Sequence, residues 1–239
     1  MQTLTDKIAL FYDGTNIEKY AGLPYVSGFT TNTTFMAQAN ELDYAAFYER
    51  HVNDIRQRAL SLQLYSEEED QMLQDARKIS NYGTNVYVKI PVQKSNGETN
   101  VPVIQTLLQQ GVKVNITAIF TPQQLKEVYR MLSSMDEEVT TPVIVSIFAG
   151  RISDTGVDPS PIVTFGCKLF EDMKHVQILW AGCKEVLSIQ HAIHAGCHII
   201  TIPDGIMDRM NRLYKDLQEF SKETVASFRK DAMDKHISI

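Results

Sequence analysis

The feature that most constrains this chain is its rhythm. Eight short β-branched, apolar runs recur along it: KIALFYD (7–13), SGFTTN (27–32), ALSLQLY (59–65), VYVKIP (86–91), KVNITAIF (113–120), PVIVSIF (142–148), VQILWAG (176–182) and HIITIP (198–203). Between them, segments such as SEEEDQMLQDARKIS, TPQQLKEVYRMLS and CKEVLSIQHAIHAG repeat apolar residues every three to four positions. The runs read as strands and the segments as amphipathic helices. Thr121 is placed to cap one of these helices, with a proline at its first position. Strands alternating with helices build a parallel sheet, and eight such units in 239 residues fit a single (β/α)8 TIM barrel. An open doubly wound sheet is the rival, but the chain has no GxGxxG or Walker loop to give that sheet a nucleotide.

Composition narrows the function classes. A chain with 44% hydrophobic and 22% charged residues, and a mean hydropathy of −0.19, is ordinary for a folded domain; it excludes disorder, collagen-like repeats and disulfide scaffolds. No glycine- or proline-rich linker divides it, so one domain over residues 1–239 is expected. A net charge of −6 and a pI near 5.5 provide no basic footprint, so nucleic acid is not an expected partner. No apolar run reaches the ~20 residues of a membrane helix. The start, MQTLTDKIALFYD, lacks the apolar core of a signal peptide. Cys167, Cys183 and Cys197 are too few and scattered for a disulfide framework or a CxxC zinc site, which places the protein in a reducing, cytoplasmic setting. Residues 204–239 read as one long helical tail with an apolar stripe of Met207, Met210, Leu213, Leu217, Phe220 and Phe228. That stripe either packs on its own barrel or reaches a neighbouring subunit, where methionines suit an adaptable contact.

A barrel keeps its chemistry at the C-terminal ends of its strands. Those ends carry Asp13, Thr31, Asn32, Gln63, Lys89, Asn115, Thr117 and Ser146, and Arg151 and Lys184 follow on the next loops. A purely structural barrel would fill most inward positions with Val, Ile and Leu. Lys89 is the sharpest feature. Flanked by Val86, Val88 and Ile90, its ammonium should be desolvated, which lowers its pKa and suits an amine nucleophile; the alternative is a strand lysine reaching solvent or a carboxylate. Asp13, before Gly14, either begins a turn or serves as a general acid/base beside that lysine. Arg151 and Lys184 could hold an anionic head group or stay ordinary solvated charges. His191, His194 and His198 with Cys197 invite a metal, but packing roles account for them better. The acidic run Glu67–Asp70 reads as a helix N-terminus, and Cys183 has no local histidine to activate it.

Taken together, these segments resemble the transaldolase family in its short form, shared with fructose-6-phosphate aldolase. The resemblance runs from about Ile8 to Met210. FYDGTN stands for the family's LDT start and GFTTNTTF for GVTTNPSL; VKIPVQKSNG is the lysine strand; GVKVNITAIFT, SIFAGRISD and AGCHIITIP match GI-NVTLIFS, SPFVGRI-D and AG-d-ITIP. Six pieces in the right order make a specific match.

The resemblance implies a class I mechanism without metal or other cofactor. Lys89 would form a Schiff base with the C2 ketone of a ketose, and Asp13 would take the C4 hydroxyl proton as the C3–C4 bond breaks. Thr117 and Gln63 would hold the water that shuttles protons. Asn32, Asn115 and Ser146, with Thr31, would bind the dihydroxyacetone unit. Gln63 follows the aldolase branch, whereas Phe148 and Asn115 follow the transferring enzymes. The family's anion pocket, A-S-F-[RK], here reads Ala181-Gly182-Cys183-Lys184, losing a serine hydroxyl while Arg151 and Lys184 remain. This pattern is similar to 6-deoxy-6-sulfofructose transaldolases, which release sulfolactaldehyde; fructose 6-phosphate is the alternative donor. Sugar-phosphate or sulfosugar substrates and a pentamer or decamer joined through the C-terminal helix are the implied partners.

Overall fold

The computed structural model describes residues 2–136 and 138–238; Met1 and Ile239, the ends of the expected domain, lie outside the described residues. The eight runs form strands β1 (Ala9–Asp13), β2 (Val26–Thr30), β3 (Ala59–Gln63), β4 (Val86–Pro91), β5 (Val114–Ile119), β6 (Val143–Ile147), β7 (Val176–Trp180) and β8 (Ile199–Pro203). All pair in parallel with their chain neighbours, and β8 returns to β1 to close the barrel. VYVKIP is a strand over its whole expected length, β2 begins one residue early at Val26 and ends two early, and the other six runs lose one or two residues at their ends, where pairing stops as the chain turns into or out of a helix.

Alternation along the strands divides the core in two. Leu10, Tyr12, Leu62, Val88, Ile90, Ile116, Val145, Ile178 and Ile200 point outward and pack with the helices in the larger cluster. Burying each such side chain contributes about 1.5–3 kcal/mol. A smaller, separate cluster of Phe11, Ile144, Leu179, Ala181 and Ile199, with Tyr87 and Phe148 against it, fills the inside. Two residues further along the same strands, the inward positions turn polar: Phe11 is followed by Asp13, Tyr87 by Lys89, Ile144 by Ser146 and Ile199 by Thr201. The interior is therefore greasy at the strands' N-terminal ends and polar at their C-terminal ends.

One irregularity shapes the polar end. Ile116 pairs with Val145 but Ile119 pairs with Ile147, so β5 carries one extra residue, and Ala118 within it has φ +58°. The bulge resets the alternation: Asn115 and Thr117 are spaced to face inward, yet Ile119 joins the outer core. A left-handed alanine is a strained conformation held by its surroundings.

The helical expectations hold with two adjustments. Thr121 caps Pro122–Ser133 in a capping box with Gln124. In the acidic run, Glu69 and Asp70 occupy the first turn of Glu69–Ser80, but Glu67 leaves it and accepts hydrogen bonds from the amide and hydroxyl of Ser95, at 2.7 and 2.8 Å. The tail is not one helix. Asp204–Met207 and a 3-10 turn at Met210–Arg212 lie on the barrel, with Met207 and Met210 buried. Tyr214, at φ +60°, then breaks the chain before the separate helix Leu217–Asp234. None of that helix's residues is buried, and Leu217, Val225, Phe228 and Met233 are each more than 60% exposed. The expected stripe thus divides, its methionines on the barrel and its Leu217 and Phe228 in the open.

Candidate active site

The polar end of the barrel gathers side chains from strands far apart in sequence. Lys89 is only 5% exposed, and its Nζ donates to the carbonyl of Thr31 at 3.2 Å. Burial pushes its pKa down, with Arg151 adding to that push and Asp13 opposing it. Asp13, also buried, has its carboxyl pKa raised by burial, against the pull of the Lys89 ammonium and a hydrogen bond from Thr30. Amine and carboxyl therefore share one low-dielectric space in which neither is comfortable charged. Paired titratable groups shifted by burial mark a candidate site of chemistry.

Around this pair the strands set a polar ring. Asn115, beside Lys89 in register, donates from Nδ2 to Ser61 Oγ at 3.0 Å and accepts from Ser146 Oγ at 2.6 Å. Both sides of the amide are thereby fixed in orientation. Gln63 lies beside Lys89 on the other flank, half-buried, its carbonyl accepting from Tyr44 at 2.9 Å. The hydroxyl of Thr117 is buried and finds no hydrogen-bond partner among the described residues. A buried hydroxyl left unpaired calls for an explanation, and a bound water or substrate atom supplies one.

The other candidates are each held by contacts of their own. Asn32 caps the helix Thr33–Gln38, accepting from the Phe35 amide at 3.0 Å, which fixes its Oδ1 locally. Thr31 offers its carbonyl to Lys89; its own hydroxyl is buried without a partner among the described residues. Phe148 packs on Phe120, and the Arg151 guanidinium lies 5.5 Å from its ring centre. Arg151 is exposed at the rim yet acts on the charge of Lys89, so it overlooks the site. Lys184 is exposed and paired with Asp154 at 2.9 Å. Gly182, at φ +73°, holds a left-handed turn that a serine would enter only with strain.

Three residues escaped the sequence reading: Thr30, Ser61 and Thr201. Thr30 donates to Asp13 Oδ1 at 2.7 Å and meets Thr201 Oγ1 at 2.5 Å. Their signal was strand parity, because Thr30 lies beside Asp13 in the ladder and alternation turns it inward. Of the residues weighed for other roles, His198 accepts the Ile178 amide at its Nδ1, 2.9 Å away, and His191 lies against the Trp180 ring. Burial pushes the Cys183 thiol up to about 11, which makes it a poor nucleophile.

A closed eight-stranded barrel with a buried lysine and carboxylate at its C-terminal end belongs with the TIM-barrel enzymes. The family is then specific: the transaldolase/fructose-6-phosphate aldolase model matches residues 10–238, and the chain belongs to that family. Curated relatives named probable transaldolase include one from Nitrosopumilus maritimus, 26% identical over 84% of this chain and 86% of that one. Another, from Dehalococcoides mccartyi, is 28% identical over 84% and 89%. Among solved structures, a candidate phosphonomutase from Burkholderia cenocepacia J2315 superposes with a TM-score of 0.53 at 11% identity, covering 96% of this chain and 97% of that one, a likeness of fold alone. The protein is an enzyme of the transaldolase type.

Proposed function

We propose that the chain cleaves the C3–C4 bond of a 6-anionic ketohexose through a Schiff base on Lys89 and transfers the dihydroxyacetone unit to an acceptor aldehyde such as glyceraldehyde 3-phosphate or erythrose 4-phosphate. The observation that carries this reading is the burial of Lys89 opposite Asp13. Burial lowers the lysine pKa and so raises its fraction as free amine near neutrality. The amine adds to the C2 ketone and water leaves, forming a protonated imine. Asp13 takes the C4 hydroxyl proton, the C3–C4 electrons flow into the imine, and the aldehyde departs from a three-carbon enamine. The free Thr117 hydroxyl and the Gln63 amide suit the water that moves protons during imine formation. The Asn115–Ser146 pair, already locked by Ser61, would hold the enamine's hydroxyls in one orientation.

The donor we favour is 6-deoxy-6-sulfofructose, with fructose 6-phosphate as the alternative. Gly182 supports this choice. The family's serine is missing, and the left-handed backbone there is not one a serine would restore cheaply. A sulfonate is a monoanion without an ester oxygen and needs fewer donors than a phosphate, which leaves Arg151 and Lys184 as its partners. Borohydride reduction with each sugar, followed by peptide mass analysis, tests both parts. A three-carbon adduct on the Lys89 peptide is expected, trapped more efficiently from the sulfosugar. No adduct from either sugar would sink the mechanism; preferential trapping from the phosphate would reassign the donor.

We further read the helix Leu217–Asp234 as the joint of a cytoplasmic homo-oligomer, a pentamer or decamer, because its apolar residues are exposed on one chain. Light scattering on a chain ending at Asp216 should give a monomer. An unchanged oligomer would place the joint elsewhere.

A further inference from the structure

We propose that Thr201 is a positioning residue for Asp13, acting through Thr30. This rests on the Schiff-base reading above, in which Asp13 must be ionised to accept the C4 proton. Thr30 has one hydroxyl proton, and it lies on Asp13 Oδ1 at 2.7 Å. The 2.5 Å contact between Thr30 Oγ1 and Thr201 Oγ1 can then be a hydrogen bond only if Thr201 donates. The chain runs Thr201 to Thr30 to Asp13, across β8, β2 and β1, and both threonines are at most 2% exposed. Successive hydrogen bonds polarise one another, and one that ends on a carboxylate is stronger than a neutral one. Thr201 thus strengthens a bond it does not itself make. With one lone pair of Oδ1 engaged by Thr30, Oδ2 is the less encumbered oxygen for the substrate proton.

Other charges near Asp13 are accounted for. Lys89 faces it from β4, and Arg151 acts on Lys89 from the loop after β6. On the segment packed beside β1 from β8, Asp204 binds Tyr12 Oη at 2.9 Å and Asp208 binds Lys19 and Tyr20. Both point away from the site, being held by side chains of the outer layer. Asp13's ionisation is therefore governed by burial, Lys89 and the threonine chain.

The test is the pH dependence of kcat/KM for cleavage of both sugars, measured on Thr201→Val, Thr201→Ser and the wild type. Valine keeps the volume and removes the hydroxyl; serine keeps the hydroxyl. Weakening the chain favours protonated Asp13, so Thr201→Val should move the acidic limb upward by about one pH unit while most of the plateau rate survives. Thr201→Ser should restore the wild-type limb. A limb that does not move, or a rate lowered by one factor at every pH, overturns the proposal. If Thr201→Val does not fold, Thr201→Ala and Thr30→Ser give the same comparison. Borohydride trapping on the same samples separates the two levels. An intact Lys89 adduct with an unmoved limb removes this proposal alone, whereas no adduct in the wild type removes the Schiff-base reading and this proposal with it.

Discussion

Lys89→Ala is expected to lose turnover by about four orders of magnitude or more while the barrel stays folded. The loss in rate follows from removing the proposed nucleophile: among the described residues no other amine pairs with Asp13 in the enclosed space, and Lys184 is exposed and tied to Asp154. Survival of the fold follows from where Lys89 sits. Its strand neighbours Val88 and Ile90 remain fully buried in the outer core, whereas Lys89 alternates to the inward side of the strand. The substitution nevertheless has a second, measurable consequence. In the wild type the ammonium pulls the Asp13 pKa down against burial. Without it, Asp13 is a lone buried carboxyl whose folded pKa rises further above its unfolded value. Such a group stabilises the fold fully below the unfolded pKa, and that contribution is lost as pH rises through the folded one. Lys89→Ala should therefore melt at a higher temperature in buffers near pH 5 than near pH 8, by a wider margin than the wild type. Adding Asp13→Asn should flatten the difference. Calorimetry and a coupled cleavage assay check both halves. Retained turnover in Lys89→Ala would end the nucleophile assignment, and a melting temperature indifferent to pH would end the account of Asp13.

How much of this was legible in the chain depends on which physical rule each part obeys. The barrel was legible, because eight β-branched runs and the spacing of apolar residues between them are local and periodic. Lys89, Asp13, Asn115 and Ser146 were legible as candidates because they interrupt apolar strands with groups that are costly to bury. Their mutual contacts were not. That Ser146 donates to Asn115 while Asn115 donates to Ser61 depends on register across three strands, and a one-residue shift would turn each side chain to the other face. Thr30 was missed on that account: its pairing beside Asp13 in the ladder, which turns its hydroxyl onto the carboxylate, is a matter of register. The bulge at Ala118 was likewise invisible, since nothing in KVNITAIF announces an extra residue. The tail misled for a different reason. Helical periodicity persists through residues 204–239, but Tyr214 in the left-handed region separates a part that packs from a part that does not, and periodicity alone carries no sign of what covers a stripe.

Gly150→Ala is the second large effect, and it concerns the loops that carry Arg151 and Lys184, the proposed head-group cations, rather than the lysine. Gly150 follows Phe148 and Ala149 at the end of β6; its amide donates to the Ala181 carbonyl at 3.1 Å. A Cβ at Gly150 would lie well inside the van der Waals radius of the Gly182 carbonyl oxygen. That oxygen is backbone, in a loop held at φ +73°, so it cannot rotate aside as a flexible side chain would. The β6 and β7 loops are thus cross-tied main chain to main chain, with Arg151 one residue beyond one tie and Lys184 two beyond the other. Alanine must push them apart, at a cost of about 3 kcal/mol. For a chain of this size that is a fall in melting temperature on the order of 10 °C. Because the two cations move with their loops, KM for an anionic donor should rise by about tenfold or more, while cleavage of the uncharged parent ketose changes less. Gly22→Ala supplies the control: its backbone is already right-handed at φ −74°, nothing lies within 4 Å of the new Cβ, and it should be neutral or slightly stabilising. If Gly150→Ala melts and binds like the wild type, the cross-tie does not position Arg151 and Lys184, and the head-group site must be sought away from these two loops.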